Sequence, residues 1–254
     1  MTGLESGLDL AVLGAVTVLC AVLGLLAPRI IARVPEPVRT PVEEHPETDA
    51  GFVDQAPKPE EPAKQSYADV ARLPGLAWRC AVVGALTGAL LVLGTGAAWV
   101  LLVLVPLVPL GLALAVIDWR TRLLPYVLVA PSYVVVGVLV LLVGVIEGDV
   151  DLLVRATVGW LGSFAVFYLL NLVSPRGMGY GDVRLAGVLG MALGAVGWIE
   201  LVVGMYAGFL VGGVLGLVLS VLRVVDRKAY PFGPFMLAGA VLGVALGPWV
   251  ATGF

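Results

Sequence analysis

An all-α bundle of about eight membrane-crossing helices is the fold the sequence predicts, and three observations predict it. Hydrophobic residues make up 60% of the chain and charged residues only 13%, with a mean hydropathy of +1.03. Soluble domains run near half apolar and a quarter charged. Apolar runs recur close to the roughly 20 residues that cross a bilayer. The charges collect in the breaks between those runs, as polytopic membrane chains require.

The first run, residues 8–31, has Glu5 and Asp9 at its start and Arg29 and Arg33 at its end. A cleavable signal has a basic start and a shorter apolar stretch, so this run reads as a retained first transmembrane helix, the segment 1–31. Residues 32–73 change character. Pro35, Pro37, Pro41, Pro46, Pro57 and Pro62 recur among acids, a composition that buries too little surface to offset its ordering entropy. The expectation there is a disordered, solvated linker.

Residues 74–254 form the core. Seven more apolar segments follow, at 74–93, 97–117, 126–146, 152–173, 185–198, 201–222 and 234–250, separated by turn and charge signals such as Gly94-Thr95-Gly96 and Glu147-Gly148-Asp149. With the linker inside, alternating crossings place nearly every Lys and Arg on the inner face. Arg155 alone falls near the outer face, where Glu5, Asp9, Glu147, Asp149, Asp151 and Glu200 collect. Basic residues in short loops set orientation, so the N-terminus is expected outside. In the seventh run Gly204, Gly208, Gly212 and Gly216 repeat every four residues, a face that lets another helix backbone approach closely.

Several functions are excluded early. No basic patch with interleaved aromatics supports nucleic-acid binding. Cys20 and Cys80 lie in different apolar segments, and the one histidine, His45, lies in the linker among Glu43, Glu44 and Glu47. Neither a cysteine metal site nor a histidine-based triad can be assembled, so no metal and no cofactor is expected.

Set the linker and the outer rim aside and three acids remain: Asp118, Asp182 and Asp226. Asp226 stands among Arg223, Arg227 and Lys228, where a solvated ion pair accounts for it. Asp118 ends the third span and Asp182 begins the sixth, within Gly177-Met178-Gly179-Tyr180-Gly181-Asp182-Val183-Arg184. Both fall at the inner ends of their helices. An acid at a bilayer edge either pairs with a nearby arginine, here Arg122, Arg176 or Arg184, or serves a function. Two carboxylates brought close cannot both ionise cheaply, so such a pair titrates as a unit. The ionised member can take a proton from water attacking a peptide carbonyl while the protonated one polarises that carbonyl. The glycines beside Asp182 suit a substrate backbone approaching without Cβ clashes. Two other classes compete: a secondary transporter using both acids as proton or cation sites, for which no half-to-half repeat is visible, and a non-catalytic membrane assembly protein.

Residues 177–185 resemble the GxGD motif of the type IV prepilin leader peptidases. Asp118-Trp-Arg-Thr-Arg-Leu-Leu-Pro125 is similar to that family's first catalytic block, and Tyr230-Pro-Phe-Gly-Pro-Phe-Met236 to the stretch opening its last helix. The resemblance covers about residue 74 to the C-terminus. It implies an eight-helix intramembrane aspartyl endopeptidase that removes the short basic leader from prepilin or pseudopilin-like substrates at the cytoplasmic face of the bacterial inner membrane. By motif position, Asp118 and Asp182 match the catalytic pair. Gly177, Gly179, Gly181, Arg184, Pro125, Pro231, Gly233 and Pro234 match supporting positions. Three departures stand out: Arg184 replaces the usual Lys, Tyr126 replaces an Asp or Asn, and the cysteine-bearing domain associated with N-methylation is missing between the first two helices. The resemblance therefore implies peptidase activity and does not extend to methyl transfer.

Overall fold

The computed structural model describes residues 7–36, 65–173, 178–221 and 231–253. Among them the regular structure is entirely helical. Six helical segments are long and apolar enough to cross a membrane, and the apolar start of a seventh, Trp198–Val214, joins them. The all-α polytopic architecture expected from composition is the one observed.

The first span is two pieces, α1 (Gly7–Gly24) and α2 (Ala27–Ala32), with Pro28 at the start of the second, where its missing N–H costs nothing. A five-residue helix, α3 (Tyr67–Ala71), returns the chain to the bundle. The disordered segment expected over 32–73 is therefore too long at both ends. Residues 37–64 lie outside the described part of the chain, but the flanks are structured for a definite reason. Ser66 accepts the Asp69 amide at 3.1 Å, and the carboxylate of Glu36 accepts the Tyr67 amide at 2.6 Å. Two orphan amides of a short helix are thus satisfied, one of them from the far side of the linker.

The second span is α4 (Leu76–Thr95), closed by Gly96 at φ 66°. The third is broken: α5 (Leu101–Leu104) gives way at Val105-Pro106 to α6 (Leu107–Thr121), which ends with Arg122 in the left-handed region at φ 57°. Next come α7 (Tyr126–Glu147) and α8 (Val150–Val173). In the turn between them the Leu152 amide holds the Asp149 carboxyl below its usual range, with Arg155 helping at 3.4 Å.

The sixth apolar run is longer than its hydropathy suggests. The helix α9 (Tyr180–Val196) starts five residues before Leu185, which places Asp182 inside its first turn. Thirteen of its 17 residues are buried, and α7, α8 and the last two helices of the chain pack against it. The last two helices, α10 (Trp198–Val221) and α11 (Gly233–Ala251), pair along their length.

Close backbone approach holds both pairs. A Cβ on Gly239 would strike the backbone of Gly208, and one on Gly243 would strike Gly204. The four-residue glycine face is thus used for packing over Gly204 and Gly208, as expected. Gly190 and Gly194 of α9 meet Gly159 and Arg155–Ala156 of α8 in the same manner. Because van der Waals packing is the main attraction between helices in lipid, added methyl groups here are costly. Gly239→Ala is expected to destabilise the detergent-solubilised protein by about 1–3 kcal/mol. Gly162→Ala, whose Cβ would meet nothing within 4 Å, should be neutral or slightly stabilising. Thermal unfolding of the two variants checks the contrast, and equal midpoints would remove it.

Candidate active site

Among the described residues the only buried carboxylates are Asp118 and Asp182, with 5% and 7% of their surface exposed. They stand at the same end of the bundle. Asp118 is in the last turn of α6, and its Oδ2 accepts the backbone N–H of Gly233 at 2.9 Å. That amide is an orphan donor in the first turn of α11, where the helix dipole favours negative charge. Asp182 is at the third helical position of α9, and its Oδ2 accepts the Gly179 N–H at 3.0 Å. Each carboxylate therefore caps a helix N-terminus, Asp118 another helix's and Asp182 its own. The two also feel each other: the charge of Asp118 acts on Asp182.

Leu124 makes the wall they share. A Cβ on Gly181 would lie 2.8 Å from the Leu124 Cβ, and one on Gly233 would lie 3.4 Å from its Cδ2 and 2.9 Å from the Asp118 Oδ2. The turn after α6 is thus pressed between the starts of α9 and α11. Arg122 begins that turn, its N–H bonded to the Asp118 carbonyl at 2.8 Å. Pro125 ends it as the N-cap of α7, in extended conformation at ψ 123°, so it precedes the fourth span as its missing N–H suits. Pro231 is buried at the entry to α11, and Pro234 occupies its first turn.

The motif glycines separate into two kinds. Gly181 needs its missing side chain for Leu124, a packing reason rather than room for substrate. Gly179 is exposed, and a Cβ there would meet only the Asp182 Oδ2 at 3.4 Å and the Gly181 N at 3.9 Å. Space beside Asp182 is therefore open on that side. Gly177 and Arg176 lie outside the described residues, as does Asp226.

Two of the three departures, Arg184 and Tyr126, meet each other. The Arg184 guanidinium carbon sits 4.5 Å from the ring centroid of Tyr126 and 4.5 Å from that of Tyr180, a cation between two π faces. About two turns further along α7, the Tyr133 hydroxyl donates to the Arg184 carbonyl at 2.6 Å. Asn171 of α8 donates to the Met178 carbonyl at 2.7 Å, tying down the strand that leads into Gly179. Tyr133 and Asn171 are absent from the motif-based reading, and Leu124, inside the first quoted block, has no role in it. Asn171 had a signal, as an isolated amide inside an apolar span. Leu124 and Tyr133 had none, because only their tertiary neighbours distinguish them.

Below Asp118 the α3 helix packs on α6. Tyr67 is buried in the cluster that contains Ala113 and Ile117. Burial, and then the Glu36 charge, pushes its phenol up. Among the described residues no three His, Cys, Asp or Glu side chains converge where an ion could sit. The chemistry open to this arrangement is that of two coupled carboxylates at a membrane edge.

The fold and this pair define a class: a polytopic membrane protein with an aspartate pair held at one end of its helices. Residues 105–221 match the model of the type IV leader peptidase family. The matched segment contains both aspartates. The chain is similar to proteins named prepilin leader peptidase/N-methyltransferase: 36% identical over 142 residues to that of Pseudomonas aeruginosa, covering 55% of this chain and 45% of the relative. The Pseudomonas putida protein is 36% identical over 161 residues, 62% and 51% of the two chains. That of Stutzerimonas stutzeri is 36% identical over 142 residues, 55% and 45%. The chain thus spans about half the length of the curated relatives it matches. No solved structure matches it.

Two outcomes are expected from this geometry. Gly181→Ala should lower thermal stability by about 1–3 kcal/mol through Leu124, with Gly179→Ala well below that. A double-mutant cycle of Tyr126→Ala with Arg184→Ala should give a coupling of about 0.5–1 kcal/mol. Strict additivity would dissolve the sandwich as an energetic unit.

Proposed function

We propose that the protein is an intramembrane aspartyl endopeptidase that removes the short basic leader from prepilin-like membrane proteins. The observation that carries the reading is the convergence of Asp118 and Asp182, two buried carboxylates from separate helices, inside the segment that matches the leader peptidase family. One carboxylate accepts the proton of an attacking water while the other, protonated, polarises the scissile carbonyl; the oxyanion forms and collapses without a covalent intermediate. The Gly233 and Gly179 amides orient the two side chains, and the open face at Gly179 admits an extended substrate backbone beside Asp182. Gly181, Arg184, Pro125, Pro231, Gly233 and Pro234 support the site by positioning rather than by chemistry.

The cut falls on the cytoplasmic side of the bacterial inner membrane, with the N-terminus outside. Support comes from charge: Arg33, Arg72, Arg79, Arg120, Arg122 and Arg184 stand at the aspartate end of their segments, and Glu147, Asp149, Asp151 and Glu200 at the other. Methyl transfer, the second activity in the relatives' names, is not carried over, because Cys20 and Cys80 are buried between α1 and α4 rather than presented near the site. A secondary transporter draws less support, since both acids stand within a turn of a helix end rather than at mid-membrane.

Co-expression with a prepilin-like protein, read by mass spectrometry of the substrate, tests the proposal. The wild type should produce the shortened form. Asp118→Ala and Asp182→Ala should each reduce processing by about a hundredfold or more, and the isosteric Asn variants should do the same without loss of folded protein. Undiminished processing by both aspartate variants would falsify the reading.

A further inference from the structure

The α4 and α6 helices do not close on each other. A cavity of ≈ 430 Å³ and another of ≈ 320 Å³ lie between them and share Val83, Leu112 and Ala115, so they form one groove. On α4 the groove follows Arg79, Val83, Leu86 and Leu90, successive turns of one helix face. Leu237 and Val241 of α11 supply the floor. Among the described residues Thr87 is the one polar side chain of the larger cavity, and Leu86, 61% exposed, marks its opening toward hydrocarbon. An apolar space this large does not hold ordered water, and an empty one forfeits dispersion contacts along its whole lining.

The two ends differ. At the aspartate end the mouth carries Arg79 and Arg120 together with Trp119, and Trp78 stands beside Arg79, whose guanidinium lies 5.9 Å from its ring. Arginine and tryptophan together are the residues of a headgroup interface. Among the described residues neither arginine is ion-paired. Asp118, two positions before Arg120, is turned to the Gly233 amide, and Asp69 of nearby α3 is bonded to Ser66. The other end is closed by apolar side chains, Leu104 among them.

We propose that this groove binds an anionic phospholipid, its phosphate between Arg79 and Arg120 and one acyl chain along α4 and α6. Length selects this occupant. From Arg79 to Leu91 the α4 face runs about 18 Å at 1.5 Å per residue, a little over half of a roughly 30 Å hydrocarbon core. That is one leaflet's depth; a transmembrane helix of a partner needs the whole span. Sign selects it too. On the function proposed above, the leader of a substrate is basic and carries the wrong charge for a mouth of two arginines. Pro234 and Ala115 line the groove, one residue from Gly233 and three from Asp118, so the bound chain lies against the elements that hold the aspartate.

The test reads lipid retention, and its outcome is independent of peptidase activity. The full chain, purified in detergent, is incubated with equimolar dioleoylphosphatidylglycerol and dioleoylphosphatidylcholine and examined by native mass spectrometry. The wild type should keep the anionic lipid about tenfold over the zwitterionic one. Arg79→Gln with Arg120→Gln should bring the ratio near unity, each single variant should lose about threefold, and Arg33→Gln, at the same end but outside the groove, should change nothing. Should the double variant fail to fold, the single variants decide. Equal retention of both lipids by the wild type, or an unchanged preference in the arginine variants, overturns the proposal. So does a photo-crosslinker at Leu86→Cys that joins, in native membranes, to a second protein chain instead of lipid.

Discussion

One hydrogen bond spans 115 positions of the chain. The Gly233 amide, an unsatisfied donor at the start of the last helix, meets the Asp118 carboxylate at the end of the third span. A buried carboxylate without such a partner would be expensive, and a buried helix start without an acceptor equally so. Each removes the other's cost. The geometry then sets what can surround them: Gly233 has no Cβ because Asp118 stands where it would be, and Leu124 fills the remaining side. The turn containing Leu124 must in turn lie against Gly181, which fixes the approach of the α9 start and Asp182 with it.

Much of the framework is legible in the chain because hydropathy and length decide it. The spans, the breaks at Gly94–Gly96 and at Glu147–Asp149, and the two isolated acids at helix ends follow from the incompatibility of charge with hydrocarbon. The boundaries that move do so for local reasons. Tyr180 to Arg184 are helical although polar, because the Asp182 carboxylate caps the helix that contains it. Residues 66–72 are structured although the composition around them is that of a linker, because Glu36 reaches them from the other side. No pattern within either segment encodes that bond. Leu124 and Tyr133 are silent for the same reason: a leucine in a turn and a tyrosine in a helix acquire meaning only from what folds onto them.

The two substitutions that set this chain apart from the usual family pattern are better understood together than singly. A lysine offers a compact point charge and an aspartate a partner for it. An arginine offers a flat, weakly hydrated cation that stacks on rings, and Tyr126 and Tyr180 provide two. The starts of α7 and α9 are thus tied by a cation–π contact.

The Glu36–Tyr67 hydrogen bond has a consequence for how the chain can change length. It brings the two ends of a 31-residue separation together, so the stretch between them is a closed loop as far as the bundle is concerned. Closing a longer loop costs only about 0.6 kcal/mol per doubling of its length. The bundle therefore registers the position of residues 36 and 67, and is nearly indifferent to how much polypeptide lies between. It is a socket in the thermodynamic sense: whole modules can enter or leave at this point while the aspartates, more than fifty residues downstream at Asp118 and beyond, keep their geometry.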